Sequence, residues 1–245
     1  MKYRFKDIYS SLPPEKRKSD GTVTTYLFRP LSYPFAYVFL ALNFTPNMVT
    51  YIGAFCCIAG LCLTFFPVLL CHRIAMGLFV LFAVLDCADG TMARTLKLKS
   101  PYGGWVDAMG GYLAYAAILT SIGFSCLYRN GDFLDLPFFE PVGLPWQAGT
   151  WLFLGGFAAT ANILMRLNHQ SFKNAELLAG KIPGQGKEKR FSEEIGVTGY
   201  LPLLYIAGFE TGFLPVVLLI YTIIYAGGCL LSTLKLILRA GKNEA

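Results

Sequence analysis

Six stretches of this chain are apolar over the length a helix needs to cross a bilayer, about 20 residues, and that pattern constrains the fold before any motif is considered. They fall at residues 48 to 70, 74 to 94, 105 to 127, 147 to 166, 196 to 212 and 214 to 237. With 55% of its 245 residues hydrophobic and a mean hydropathy of +0.50, the chain is too apolar for a soluble domain of this size. The reading is an all-α integral membrane protein with six transmembrane helices in one domain. The fifth stretch is short and carries Pro202, so its limits are the least defined.

What precedes the first span divides in two. Residues 1 to 25 are charged and contain Pro13 and Pro14, and they read as a cytoplasmic N-terminal extension with little structure of its own. No signal-peptide pattern is present there, so the first span is expected to act as the insertion signal. The segment from Tyr26 to Leu42, YLFRPLSYPFAYVFLAL, is apolar and aromatic but interrupted by Pro30 and Pro34. It suits an N-terminal interfacial helix, lying in the plane of the membrane. Pro46 then sits near the first position of the first span. The membrane domain, residues 26 to 240, includes this interfacial segment.

Charge tests the layout, because Lys and Arg accumulate in short cytoplasmic loops. With the N-terminus in the cytoplasm, the inside segments hold 19 of the 21 basic residues, leaving only Arg73 and Arg129 outside. The net charge of +6 is then mostly a topology signal, with attraction to anionic membrane lipids as a secondary effect. It does not indicate nucleic-acid binding, since no basic stripe alternates with aromatics on a soluble domain. The seven cysteines lie in or beside apolar helices without CxxC or Cys/His spacing, and read as small hydrophobes. In the polar loop after the fourth span, GKIPGQGK resembles a phosphate loop only superficially: it is not GxxxxGK[ST], and no strand precedes it.

Chemistry concentrates in residues 86 to 111, DCADGTMARTLKLKSPYGGWVDAMGG. Ionisable groups at membrane depth cost about 2.5 to 3.5 kcal/mol each on insertion scales, so three aspartates there require an explanation. Helical spacing puts Asp86, Asp89, Gly90 and Ala93 on one face, and sets Gly103, Asp107 and Gly111 at successive turns of the next helix. Both helix ends lie on the cytoplasmic side, so the carboxylates can converge in one cavity. Converging carboxylates repel unless a cation separates them, and an all-oxygen set suits Mg²⁺, Mn²⁺ or Ca²⁺ rather than zinc. Arg94 and Lys97 supply cations for a phosphate, and Gly90, Gly103 and Gly104 let a ligand approach the backbone. Together these imply metal-assisted attack on a phosphoanhydride. Each residue alone is also what a helix end or a close helix contact would use; the set at this spacing is not.

The run DCADGTMAR, followed after eight residues by Gly103 and after three more by Asp107, resembles the signature of the CDP-alcohol phosphotransferases, DxxDGxxAR then G, D and D. Six helices and the TPNMVT opening of the first span resemble that family too. The resemblance implies a membrane catalytic domain whose site, like both termini, faces the cytoplasm, and which lies in the inner membrane if the source is bacterial. It implies one or two divalent ions, Mg²⁺ or Mn²⁺, held by Asp86, Asp89 and Asp107. Gly90, Ala93, Arg94 and Gly103 would line the nucleotide and diphosphate site, with Asn47 and Thr50 beside it. The implied activity moves a phospho-alcohol group from a CDP-linked donor to an acceptor, releases CMP, and serves phospholipid or cell-surface glycan synthesis. A homodimer is also implied.

One position departs from that signature. Where the family has a fourth aspartate, assigned as a metal ligand and as the base that deprotonates the acceptor, this chain has Gly111. Three consequences stay open. The acceptor ionises without help, as a phosphate, phosphonate or carboxylate does; or a base comes from elsewhere, with His169, Glu193 and Glu194 the candidates; or the protein is a scaffold that binds nucleotide or lipid without turnover. Arg166, at the end of the fourth span, is equally an acceptor-phosphate ligand or a positive-inside anchor. With one carboxylate fewer, the second ion is expected to be weak or absent.

Overall fold

The computed structural model describes residues 4 to 98, 100 to 129, 149 to 180 and 189 to 244. Among these residues there are helices and no strand. In chain order they are α1 (Phe5–Ser10), α2 (Pro14–Ser19), a π-helical turn (Thr24–Phe28), α3 (Arg29–Ala41), α4 (Pro46–Thr64), α5 (Leu69–Thr95), α6 (Pro101–Arg129), α7 (Gly149–Leu178), α8 (Lys189–Glu194), α9 (Leu201–Thr211) and α10 (Leu214–Glu244). Six of these, α4 to α7, α9 and α10, overlap the six apolar stretches. Four, at Pro46–Thr64, Leu69–Thr95, Pro101–Arg129 and Leu214–Gly241, are long and apolar enough to cross a membrane. Of the other two, α7 is long enough, but glycines, Asn162 and Arg166 dilute its apolar half. At 11 residues, α9 rises about 16 Å, short of a hydrocarbon core of about 30 Å.

The chain divides into two compact units: residues 1–118 with 187–206, and residues 119–186 with 207–245. In the first, α4 lies along α5 with small residues against large ones. An added Cβ at Gly53 would stand 3.2 Å from the Phe82 ring, and one at Gly60 would stand 3.1 Å from Phe79. Glycine therefore sets how closely these helices approach. Phe79 also meets Tyr205, with ring centroids 6.1 Å apart.

The helix ends follow local rules. Thr45 caps α4 by accepting from the Met48 N–H at 3.3 Å, with Pro46 in the first turn. Both α3 and α5 stop in a left-handed residue that satisfies the last carbonyls: Asn43 (φ 60) and Lys97 (φ 53). The Phe44 N–H reaches the Phe39 carbonyl at 2.9 Å, and the Leu98 N–H reaches the Ala93 carbonyl at 2.9 Å. The turn at Lys97 is what sends the chain from the acidic end of α5 toward α6.

The N-terminal segment differs from the expectation of little structure. It forms α1 and α2, and Ile8 is fully buried in a cluster with Tyr33, Ala36, Leu40, Val49, Leu85, Ala88 and Met92. Glu194 holds the next turn in place, accepting from the Thr22 N–H at 2.9 Å and from its hydroxyl at 2.8 Å. Both helices are polar and short; a tertiary apolar contact through Ile8, not amphipathic periodicity, stabilises α1, while α2 buries no residue of its own.

In the second unit the backbones of α6 and α7 touch. A Cβ on Gly123 would lie 2.7 Å from the Trp151 carbonyl oxygen, and one on Gly155 would lie 2.7 Å from that of Leu119. Between α7 and α10, Asn168 donates to Thr233 at 3.1 Å and Arg239 pairs with Glu176 at 2.5 Å. The first part of the polar loop expected after the fourth span is thus helical to Leu178. Residues 181–188, which include most of GKIPGQGK, lie outside the described residues.

Candidate functional site

The acidic end of α5 meets the start of α4 and of α6 within the first unit, and Thr50 is where they join. Its hydroxyl oxygen lies 2.6 Å from Asp89 Oδ2 and 3.2 Å from the Pro46 carbonyl oxygen. One proton serves one of them, and the shorter contact to the charged acceptor is the stronger. The Thr50 methyl faces α6, where a Cβ on Gly110 would stand 3.0 Å from it. Asn47, one turn earlier, lies near Gly103: a Cβ on that glycine would be 3.7 Å from Asn47 Oδ1. Asn47 and Thr50, one turn apart on α4, thus lie beside Gly103 and Gly110, two turns apart on α6.

The three aspartates stand in different surroundings. Asp89 is 5% exposed, Asp86 is half-buried, and Asp107 is exposed on the second turn of α6. They act on one another electrostatically: Asp86 feels Asp107, and Asp89 feels both. Positive charge reaches them from Arg29 and Lys16 at Asp86, and from Lys16 at Asp107. Among the described residues, no three His, Cys, Asp or Glu side chains are grouped tightly enough to enclose a metal ion. The donor chemistry nonetheless fits a hard divalent cation, since all three groups are carboxylates of mutual negative field and no thiol or imidazole is among them.

Arg94 folds back along α5. Its Nη2 donates to Thr91 Oγ1 at 3.1 Å, and Thr91 in turn donates to the Cys87 carbonyl at 2.8 Å. The guanidinium covers Gly90, where a Cβ would come within 3.3 Å of Nη1. Its Nε is buried with no hydrogen-bond partner, and no carboxylate among the described residues pairs with it. A guanidinium held by one hydroxyl, with donors unused, is disposed to take an anion. Ala93 is half-buried on the same helix, and Lys97 is exposed at its end.

Gly111 faces open space: nothing lies within 4 Å of where its Cβ would be. Its neighbour Gly110 is buried and packs on Thr50, so the two adjacent glycines do different things. Of the candidate replacement bases, Glu194 accepts from Thr22 and Glu193 lies 3.9 Å from Lys16 Nζ; both tie the N-terminal segment in place. The Glu194 side chain caps the turn at Thr22. His169 is exposed on α7 in the second unit, as is the half-buried Arg166, whose Nε donates to Asn162 at 3.0 Å.

Sequence reasoning missed the cations that serve the carboxylates from the N-terminal side. Arg29 and Asp20 form a buried pair, with side chains 7% and 3% exposed and Nη2 2.5 Å from Oδ2. Arg29 Nη1 also reaches the Cys87 carbonyl at 3.5 Å. The signal was present: an arginine in an apolar aromatic segment needs a partner, and Lys16 and Asp20 are spaced i, i+4.

Compared with known families, residues 43–183 match the family model described as CDP-alcohol phosphatidyltransferase, more than half of the chain. No curated protein matches.

Proposed function

Because the chain belongs to the CDP-alcohol phosphatidyltransferase family, whose reaction is phosphotransfer from a CDP-alcohol, we propose that it is a metal-dependent membrane phosphotransferase of phospholipid or cell-surface glycan synthesis. In this reading an acceptor oxygen bonds to the phosphorus carrying the donor's alcohol, the diphosphate P–O bond breaks, and CMP leaves. The observation that carries the proposal is the junction at Thr50. One side chain fixes the buried Asp89 at 2.6 Å and seats Gly110 of α6, which supports a shared site for the carboxylates of α5 and α6.

A Mg²⁺ or Mn²⁺ ion held by those three carboxylates would neutralise charge on the phosphoryl oxygens and the leaving group. The protein's own part is binding and orientation. Arg94, with its unpartnered Nε, grips a phosphate of the donor, while Gly90, beneath the guanidinium, and Gly103 add no side chain to the nucleotide space. Asn47 and Thr50 fix the rim of that space. Asp107, exposed and under the positive charge of Lys16, faces the acceptor side. In this reading the site and both termini face the cytoplasm, which the distribution of basic residues across six spans supports, and the protein is a homodimer.

Gly111 favours a second reading, in which the protein binds nucleotide or lipid as a scaffold. Open space at this position supports it, because no side chain stands in for the family's fourth aspartate. Purified protein offered a panel of CDP-linked donors and acceptors with Mg²⁺ or Mn²⁺ is expected to release CMP. Well-folded protein that releases none would favour the scaffold. Gly111→Asp, for which there is room, separates the cases further: gain of turnover on a plain alcohol indicates an altered acceptor choice, and loss of an existing activity means the glycine makes space for the acceptor.

A further inference from the structure

The family match begins at residue 43, yet the residues before it are built into the carboxylate site. Ile8 shares a buried cluster with Leu85, Ala88 and Met92, which interleave with Asp86 and Asp89 on the last turns of α5. In contrast, α2 has no buried residue of its own, so apolar contact does not hold it. What holds it is charge: Lys16 Nζ lies 2.9 Å from Asp20 Oδ1, Asp20 binds the buried Arg29 through Oδ2, and Arg29 reaches the carbonyl of Cys87, the residue after Asp86. Burying Asp20 and Arg29 is costly, and such pairs are poor sources of stability, so the pair is better explained by what it positions.

We infer that α1, α2 and the turn into α3 are a working part of the carboxylate site, in which the Asp20–Arg29 pair clamps the end of α5 and holds Lys16 as a positioning and charge-balancing residue for the ligands of Asp86 and Asp107. Lys16 keeps a side chain 36% exposed, so its ammonium can also meet an anion. A cation at this place acts with opposite sign on the two ligands of the site. It repels a divalent ion and attracts a nucleotide diphosphate.

The nucleotide arm of this inference rests on the phosphotransferase reading; the cation arm rests on the carboxylates alone. Full-length protein in lipid nanodiscs at low salt is titrated with Mn²⁺ alone and with CDP alone. Lys16→Gln is expected to bind Mn²⁺ about threefold more tightly and CDP about threefold more weakly, with Lys16→Arg restoring both. Affinities that stay unchanged, or that fall together as in a loosened fold, overturn the inference. If the wild type binds neither ligand, the phosphotransferase reading fails and the clamp is decided by Cys87, 4% exposed. Asp20→Asn, or the milder Arg29→Lys, is then expected to speed alkylation of Cys87 about tenfold while Cys126, fully buried, stays protected. Unchanged protection of Cys87, or loss of protection at both cysteines, overturns the clamp.

Discussion

At the scale of single residues, Thr50 and Asp89 make the clearest case for a built site. They are 39 positions apart, and spacing alone does not pair them; Thr50 stands out in the sequence only through the resemblance of the first span's opening to the family. Replacing Thr50 by Val keeps the shape but leaves a buried carboxylate without its donor, a loss of about 1.5 to 3 kcal/mol for a hydrogen bond to a charged group. Thermal unfolding of Thr50→Val is expected to show that destabilisation, and an unchanged midpoint would mean that water or another donor serves Asp89. Lys97 illustrates the opposite case. Its charge marks it as a candidate phosphate contact, but its left-handed backbone (φ 53) is not legible in the sequence, because lysine rarely ends a helix in that way. Lys97→Gly is expected to raise stability by about 1 kcal/mol, the strain that a side chain brings to this conformation. A fall in CDP affinity in the same variant would support the contact with phosphate.

At the scale of helices, apolar runs located α4 to α7, α9 and α10, because burial in lipid or protein leaves a direct trace in composition. Their lengths were less legible. The 12 residues of α7 beyond Arg166 are polar enough to read as loop, and what keeps them helical is contact with α10 through Asn168, Glu176 and Arg239. Glycine shows the same limit. Nothing in the sequence separates Gly155 from Gly156, yet a Cβ at Gly155 would strike the Leu119 carbonyl at 2.7 Å, whereas Gly156 has nothing within 4 Å. Gly155→Ala is therefore expected to lose about 1 to 3 kcal/mol by overpacking, while Gly156→Ala gains slightly through helix propensity. Equal behaviour of the two in thermal unfolding would contradict the close approach of α6 and α7.

At the scale of the whole molecule, the carboxylate constellation can be proposed from the sequence because charges at membrane depth are too costly to be incidental, and because a long motif connects them. The N-terminal cap cannot. Its helices are six residues each, with no periodic apolar face, and they depend on Ile8 and on a buried ion pair formed in the folded protein. Orientation is a proposal at this scale, resting on the 19 of 21 basic residues that six spans would place on one side. A cysteine reagent that cannot cross the membrane is expected to label a cysteine placed at position 6 only from the cytoplasmic face. Labelling from the opposite face would invert the topology, and with it the side on which the nucleotide is met.

The central claim is that Asp86, Asp89 and Asp107 form one metal-dependent phosphotransfer site. Its most direct test is CMP release from a CDP-linked donor across a Mn²⁺ titration, comparing wild type with Asp89→Ala at matched folding. Wild type is expected to release CMP with saturable dependence on Mn²⁺, and Asp89→Ala to lose at least a hundredfold of that rate, about 2.7 kcal/mol of transition-state stabilisation. CMP release that is independent of metal, or that survives in Asp89→Ala, would contradict the claim.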